Sequence, residues 1–427
     1  MKVTHSEKKI TAFGGLNFCH DLFINSGVKG LIDSHLGIRA KLMGFDYSDI
    51  LSTHMSVFLA GGDSTEDANE HLRDSLKLIP SLSVCSADTI LRGINELTTP
   101  LITHQSANGI GHEFNINSRL NELLIKSLKK TNQLDTKTKY TLDYDNQVIA
   151  TQKYDAKMSY KKCLGYQSGI SSIGDLIIAV EGRNGNSPAS YKQEETLART
   201  FTLLERQTIQ TNRFRADAAS YQKEVLDLVI KKNMLFYIRA KNCASMEVQI
   251  GQIPKEHWVK IRLGVQEMEV AEIDYIPFGQ TQSYRLVVSR IKRKDQQANL
   301  FSGTTYKYRS IITNDRFMIL KEVVSFYNKR GSSERIFDTM NNDFGWGNLP
   351  FSFLNQNTAF MIITALYANF YRYMITYFSK KCAWLKENYR LKKFVFRFVT
   401  VAANWIRRGR QNILKLYTNK DYSPLTL

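Results

Sequence analysis

The sequence predicts an α/β protein. A mixed sheet covered by helices is interrupted by a β-rich insertion, preceded by a helical region and followed by a basic helical tail. Three observations carry this. Near residue 139 the pattern changes to strands: YTLDYDNQVIA, a turn-rich GYQSGISSIG and DLIIAVEGR. Helix and strand then alternate through QEETLARTFTLLERQT, TNRFRAD, SYQKEVLDLVIKK and MLFYIRA, the rhythm of a sheet with crossover helices. Residues 250–313 turn β-rich and Pro/Gly-punctuated (HWVKIRLG, EVAEIDYIPFG, YRLVVSRIK) before helical spacing resumes in RFMILKEVVSFYNKRGSSERIF.

These changes of period divide the chain into 1–130, helical; 131–244, the first part of an α/β core; 245–313, the insertion; 314–378, the second part of the core; and 379–427, the tail. In the first region, breaks fall at Gly14-Gly15, Gly61-Gly62-Asp63 and Thr98-Thr99-Pro100. Helix starts are expected at Ser64–Asp67, with Ser64 capping and Asp67 answering three residues later, and near Ser86–Thr89, leading into ILRGINEL. Short helices here fit either a helix-turn-helix reader or a bundle packed on the rest. The tail interleaves Lys and Arg with Trp384, Tyr389, Phe394, Phe396, Phe398 and Trp405. Such a segment can line a phosphate backbone or lie as a solvated basic helix pair over a buried aromatic stripe.

A formal charge of +18 favours a polyanionic partner, because Lys and Arg that neutralise phosphates release condensed counterions. Five scattered cysteines without a C-x-x-C support neither a disulfide framework nor a zinc knuckle, and a reducing compartment fits best. The start, MKVTHSEKK, leads into no signal-type apolar stretch. The most membrane-like segment, AFMIITALYANFYRYMITYF, carries Asn369 and Arg372 and reads as a buried helix. A cytoplasmic protein without a membrane partner is expected.

Against this basic background, four acids stand out. Asp143 and Asp145 sit two apart on a strand, so both leave one face. Asp217 ends the RFRAD strand, where an open α/β sheet gathers its sites, and Glu334 lies on a long helix. Taken singly, a strand-end Asp is a turn residue and a helix Glu beside Arg330 and Arg335 is an ion pair. Brought together, such carboxylates repel unless a hard cation such as Mg²⁺ or Mn²⁺ lies between them. Two such ions can serve phosphodiester cleavage by activating a nucleophile and steadying the leaving oxygen.

Tyr327, Arg330 and Glu334 form Y-x2-R-x3-E, which resembles the signature helix of DDE-class insertion-sequence transposases. The DYD strand, EGRNGN at 181–186, RAD at 215–217 and DFGWGNLPFSFLNQNTAF extend the likeness across residues 140–375. The resemblance implies an RNase H-like core with a β insertion between the second Asp and the Glu. It makes Asp217 the second catalytic Asp and metal ligand, Glu334 the catalytic Glu, and Asp145 the first Asp, with Asp143 on the same face as the alternative. Tyr327 and Arg330 are then DNA contacts. Asn341 stands where the family carries Lys, so Lys329 is the neighbour that would supply that contact. Further implied are two Mg²⁺ or Mn²⁺ ions, double-stranded DNA at element ends and target, a homodimer or higher assembly, and a bacterial, nucleoid-associated setting.

Four more residues are DNA-binding candidates. Trp258, in the insertion, could stack on a flipped base or belong to a core. Arg183, Asn184 and Asn186 could position DNA or merely shape a Gly-rich turn. The expected activity is cutting DNA at terminal inverted repeats and joining 3′ hydroxyls to a target. The rivals are a nuclease that cuts without joining and a non-catalytic DNA-binding protein.

Overall fold

The computed structural model describes residues 1, 3–4, 7–39, 44–279, 281–292 and 306–425. Its centre is a 12-stranded sheet. Strand Lys139–Ala150 pairs antiparallel with Leu164–Ile173, which pairs antiparallel with Leu176–Arg183. Helix Gln193–Arg206 then carries the chain over to strand Gln210–Ala216, parallel to Lys139–Ala150 on its other side. Helix Lys223–Lys231 leads to Leu235–Arg239, parallel to Gln210–Ala216. Two consecutive hairpin strands followed by two parallel strands across crossover helices is the topology the alternation implied.

Period-2 alternation decides which face each residue of the long strand takes. Leu142 and Tyr144 join one buried cluster with Leu197, Phe201, Val225 and Val229 of the two crossover helices. Ile149 joins the other, with the helix Leu354–Lys381 and the N-terminal helices. Asp143, Asp145 and Gln147 share the face of Ile149, away from the crossover helices.

The insertion extends this same sheet. Tyr306–Thr313 pairs antiparallel with Leu235–Arg239, and Tyr284–Lys292, Gln266–Tyr275 and Val259–Leu263 follow as a meander. Residues 293–305, within the stretch read as insertion, lie outside the described residues.

Two segments depart from the helical reading. Within the first 130 residues, Leu101–Gln105 and Gly111–Asn115 form a hairpin that adds to the sheet beside Leu176–Arg183. The loop between its strands, residues 106–110, carries Asn108-Gly109, with Gly109 at φ +73°, a turn signal within otherwise helical sequence. In the tail, helix gives way after Val399 to a second hairpin, Ala403–Arg408 with Gln411–Leu416, forming its own two-stranded sheet. NWIRR and QNILKL have the period of strands, and a positive-φ Gly409 makes the turn.

One of the two expected helix starts appears as read. Ser86 caps Ala87–Asn95 by accepting from the Thr89 N–H at 3.3 Å. Near Ser64, however, Asp67 accepts from the Asp63 and Ser64 N–H groups and the helix is only Asp67–Glu70. The apolar helix Leu354–Lys381 is buried over most of its length, and no helix among the described residues is long and apolar enough to cross a membrane. Asp155 seats its start by accepting from the Leu354 N–H at 2.8 Å.

The first helical region and the tail share one core. Phe18 stacks on Tyr422 at 5.3 Å between ring centroids, and Phe398 stacks on Phe378 at 4.7 Å. Gly14 and Gly15 donate to the carbonyls of Val401 and Val399 at 2.8 and 3.1 Å. A Cβ on Gly15 would overlap the Phe398 carbonyl oxygen. Gly15→Ala is therefore expected to destabilise the fold by roughly 1–3 kcal/mol, because backbone rather than a flexible side chain must yield. Urea denaturation with an unchanged midpoint would contradict this.

Candidate active site at the strand ends

The parallel register between Lys139–Ala150 and Gln210–Ala216 positions the acids. Asp143 lies opposite Arg215 and Tyr144 opposite Ala216, so the next rung sets Asp145 beside Asp217. On adjacent parallel strands this places their Cα atoms about 5 Å apart. Two successive rungs on one face thus carry different chemistry.

The inner rung is neutralised within the protein. Asp143 is fully buried, and Arg215 grips both its oxygens, Nε to Oδ1 and Nη2 to Oδ2, each at 2.7 Å. Burial still holds the Asp143 carboxyl above its usual range, against the opposing pull of Arg215 and Arg330. Both Asp143 oxygens are thus engaged by the Arg215 fork.

The outer rung meets the signature segment, helix Leu320–Asn328, a 3₁₀ turn Lys329–Gly331 and helix Ser332–Asp343. Arg330 donates from Nη1 to Asp145 Oδ2 at 2.7 Å. Burial raises the Asp145 carboxyl, Arg330 opposes, and the charge of Asp217 raises it further, for a net upward shift. Arg330 feels the converse: burial draws its guanidinium down, and Asp145, Tyr327 and Asp217 outweigh that. Both acids thus act on one cationic group. Asp217 also caps a 3₁₀ turn, accepting from the Ala219 N–H at 2.9 Å.

Further contacts dock the segment along the acid-bearing strands. Arg215 Nη1 donates to the Phe326 carbonyl at 2.6 Å and its guanidinium lies 4.7 Å from the Phe326 ring centre. The Tyr327 hydroxyl donates to the Ala216 carbonyl at 3.4 Å, and burial pushes that hydroxyl's pKa up. Gln147, the third residue on the Asp143–Asp145 face, donates to Asn341 Oδ1 at 2.7 Å. The Asn341 amide thus joins the helix to the strand. Lys329 is exposed.

Glu334 is exposed and lies between these contacts in sequence. It precedes Asn341 by seven residues, two helical turns, and so shares the stripe of helix that meets the strand. The register sets Asp145 beside Asp217, and among the described residues no group of three or more His, Cys, Asp or Glu is placed to hold a metal ion, so Glu334 does not complete a three-carboxylate set in this structure.

The remaining candidates make contacts within the protein. Arg183 is fully buried, donating to the Tyr191 carbonyl at 2.8 Å and Thr196 Oγ1 at 2.5 Å, over the Phe114 ring. Asn184, also buried, accepts from the Lys157 N–H and donates to Glu113 and the Asp155 carbonyl, each bond 2.8–2.9 Å. Asn186 donates to the Gly111 carbonyl at 3.0 Å. This EGRNGN turn joins the N-terminal hairpin to the sheet, and most of its side-chain hydrogen bonds go to neighbouring segments of the protein, with Arg183 Nε and Asn186 Oδ1 left buried without a partner among the described residues. Trp258 is 8% exposed and covered by the Arg290 guanidinium 3.9 Å from its ring centre, the core option of the two. Sequence reasoning missed Arg215, although period-2 alternation sets it on the face of Asp217.

The family model for transposase DDE domain group 1 matches residues 2–426. No curated protein matches the chain. Among solved structures, it is similar to the cryo-EM structure of the piggyBac transposase synaptic complex with hairpin DNA. That match has 12% identity and a TM-score of 0.41 over 91% of this chain and 80% of that one. At that distance the likeness carries no argument about the site. The family match spans the acid-bearing strands and the Tyr327–Arg330–Glu334 segment laid across them, and the chain belongs to the transposase DDE domain group 1 family.

Proposed function

We propose that this protein is a DNA transposase that binds terminal inverted repeats, cleaves phosphodiester bonds at the element's ends and joins the 3′ hydroxyls to target DNA. The observation that carries the reading is the rung pairing Asp145 with Asp217 at the ends of two parallel strands, with the signature segment across it. The five-strand order, two hairpin strands and two parallel strands flanking Lys139–Ala150, supports an RNase H-like core. Family membership supports DNA as substrate.

The donor set fits a hard divalent cation. Asp145 and Asp217 offer carboxylate oxygens in a partly buried setting that already attracts a positive group. Mg²⁺ or Mn²⁺ held by these two residues, with Glu334 completing the set, would supply Lewis acidity for activating a water or 3′ hydroxyl and stabilising the leaving oxygen. Glu334 precedes Asn341 by two helical turns, and the reading requires the segment around Lys329–Gly331 to rearrange so that Glu334 joins the two aspartates. Arg330 neutralises Asp145 in the free protein. Once that carboxylate has another cation, the guanidinium is available to a DNA phosphate beside the scissile bond, where its fork suits two oxygens. Tyr327, anchored at Ala216, orients the start of the segment, and exposed Lys329 adds a phosphate contact.

Incubating the protein with Mg²⁺ and duplexes carrying the element's terminal repeats tests the proposal. Both cleaved ends and joined products are expected. Nicks without joined product would favour the nuclease reading, and binding without cleavage would favour the non-catalytic one. Asp145→Asn, Asp217→Asn and Glu334→Gln should each lower cleavage by on the order of a hundredfold or more while duplex binding persists.

Asp143→Asn is expected to behave differently, because its partner is Arg215. Leaving that guanidinium buried without its carboxylate should cost about 3–5 kcal/mol of stability, read by denaturation. A stable Asp143→Asn protein with cleavage abolished as fully as in Asp217→Asn would instead make Asp143 a ligand.

A further inference from the structure

The hairpin Ala403–Arg408 and Gln411–Leu416 projects as a separate two-stranded ribbon. Its base is fixed: Ala403 bridges to Thr11, and the Tyr417 N–H donates to the Ala402 carbonyl at 2.8 Å. Beyond the base the ribbon is exposed on both faces. Trp405 lies opposite Leu414 on one face and Ile406 opposite Ile413 on the other, with Trp405, Ile406 and Ile413 exposed by 36–39%. Outward of these rungs come Arg407 and Arg408, and Arg410 sits in the turn. Residues 403–416 contain four basic side chains and no acidic one. Among the described residues, no carboxylate pairs with Arg407, Arg408 or Arg410, and all three are exposed.

The turn supplies an independent sign. Gly409 and Arg410 occupy its two central positions at φ +57° and +66°, the geometry of a type I′ turn. Such turns favour Asn, Asp or Gly, since a left-handed backbone presses a Cβ against the next carbonyl. Arg410 stands at a position where the turn geometry favours a smaller residue. An isolated two-stranded ribbon is also marginal in water. Charge at the tip and apolar rungs on both faces therefore call for a partner that is anionic and offers a groove.

We propose that this hairpin is a DNA-binding ribbon whose tip, Arg407, Arg408 and Arg410, contacts the phosphates of duplex DNA, resting on the transposase reading above. A two-stranded ribbon is narrow enough to enter the major groove, and arginine forks match phosphate oxygens. The ribbon lies outside the catalytic sheet and acts as a second handle on the duplex.

The test measures affinity of the full chain for a mixed-sequence 30-base-pair duplex by fluorescence anisotropy across a salt series. For Arg407→Gln/Arg408→Gln/Arg410→Asn, the expected result is roughly tenfold or more weaker binding at moderate salt. The slope of log affinity against log salt should be shallower by about three, near 0.9 for each phosphate no longer neutralised. Arg410→Asn alone should weaken binding and reduce the slope by about one while leaving the thermal midpoint unchanged or higher, a combination that a purely structural role would not give. If the triple variant does not fold, the single variant decides. Unchanged affinity and slope would overturn the proposal. So would loss of binding to phosphatidylserine vesicles with duplex binding intact. A wild type that cleaves repeat-bearing DNA beside ribbon variants with unaltered slope would overturn the ribbon and leave the transposase reading standing. A wild type with no affinity for duplex would overturn both.

Discussion

The parallel register of Lys139–Ala150 and Gln210–Ala216 is the constraint on which the site depends. A slip of one residue would turn Asp145 to the opposite face, into the cluster of Leu142, Tyr144 and Phe201, where an unpaired carboxylate is costly. Packing of the two cores, one on each face, therefore enforces the register. The acids need no local device to find each other, because the hydrophobic residues between them fix which way they point.

The same ladder separates two kinds of acid. Asp143 and Asp145 differ by one pleat, and one is sealed by an arginine from the neighbouring strand while the other meets an arginine from a segment broken by a 3₁₀ turn. A pair within the sheet is a permanent part of the core, and removal of either partner leaves a buried charge. The Arg330–Asp145 pair instead joins the sheet to a separate segment, so its geometry depends on how that segment docks rather than on the strand ladder. The two residues look alike in sequence and differ in the rigidity of what holds them.

Much of this was legible in the sequence. The switch to alternating apolar residues near 139 and the helix–strand rhythm to Arg239 follow from periodicity, and the Tyr327, Arg330 and Glu334 spacing marked the signature segment. What escaped was decided by long-range partners. Arg183 and Asn184 have the composition of a ligand-binding turn, and only the arrival of Glu113, Tyr191 and Thr196 from elsewhere makes them internal. Arg215 had a legible face but no legible partner. The two hairpins were signalled by Asn108-Gly109 and by the alternation around Gly409, local cues masked by the helical or basic composition around them.

The insertion joins Leu235–Arg239 through Tyr306–Thr313 and continues the sheet. Backbone hydrogen bonds thus run unbroken from Val259–Leu263 to the strand that carries Asp145. Nucleic acid seated on that outer meander would be gauged against the carboxylates by a stiff ruler rather than by a jointed arm. Accuracy in choosing the bond to be cut would then reside in main-chain geometry, which side-chain substitution at the surface barely alters.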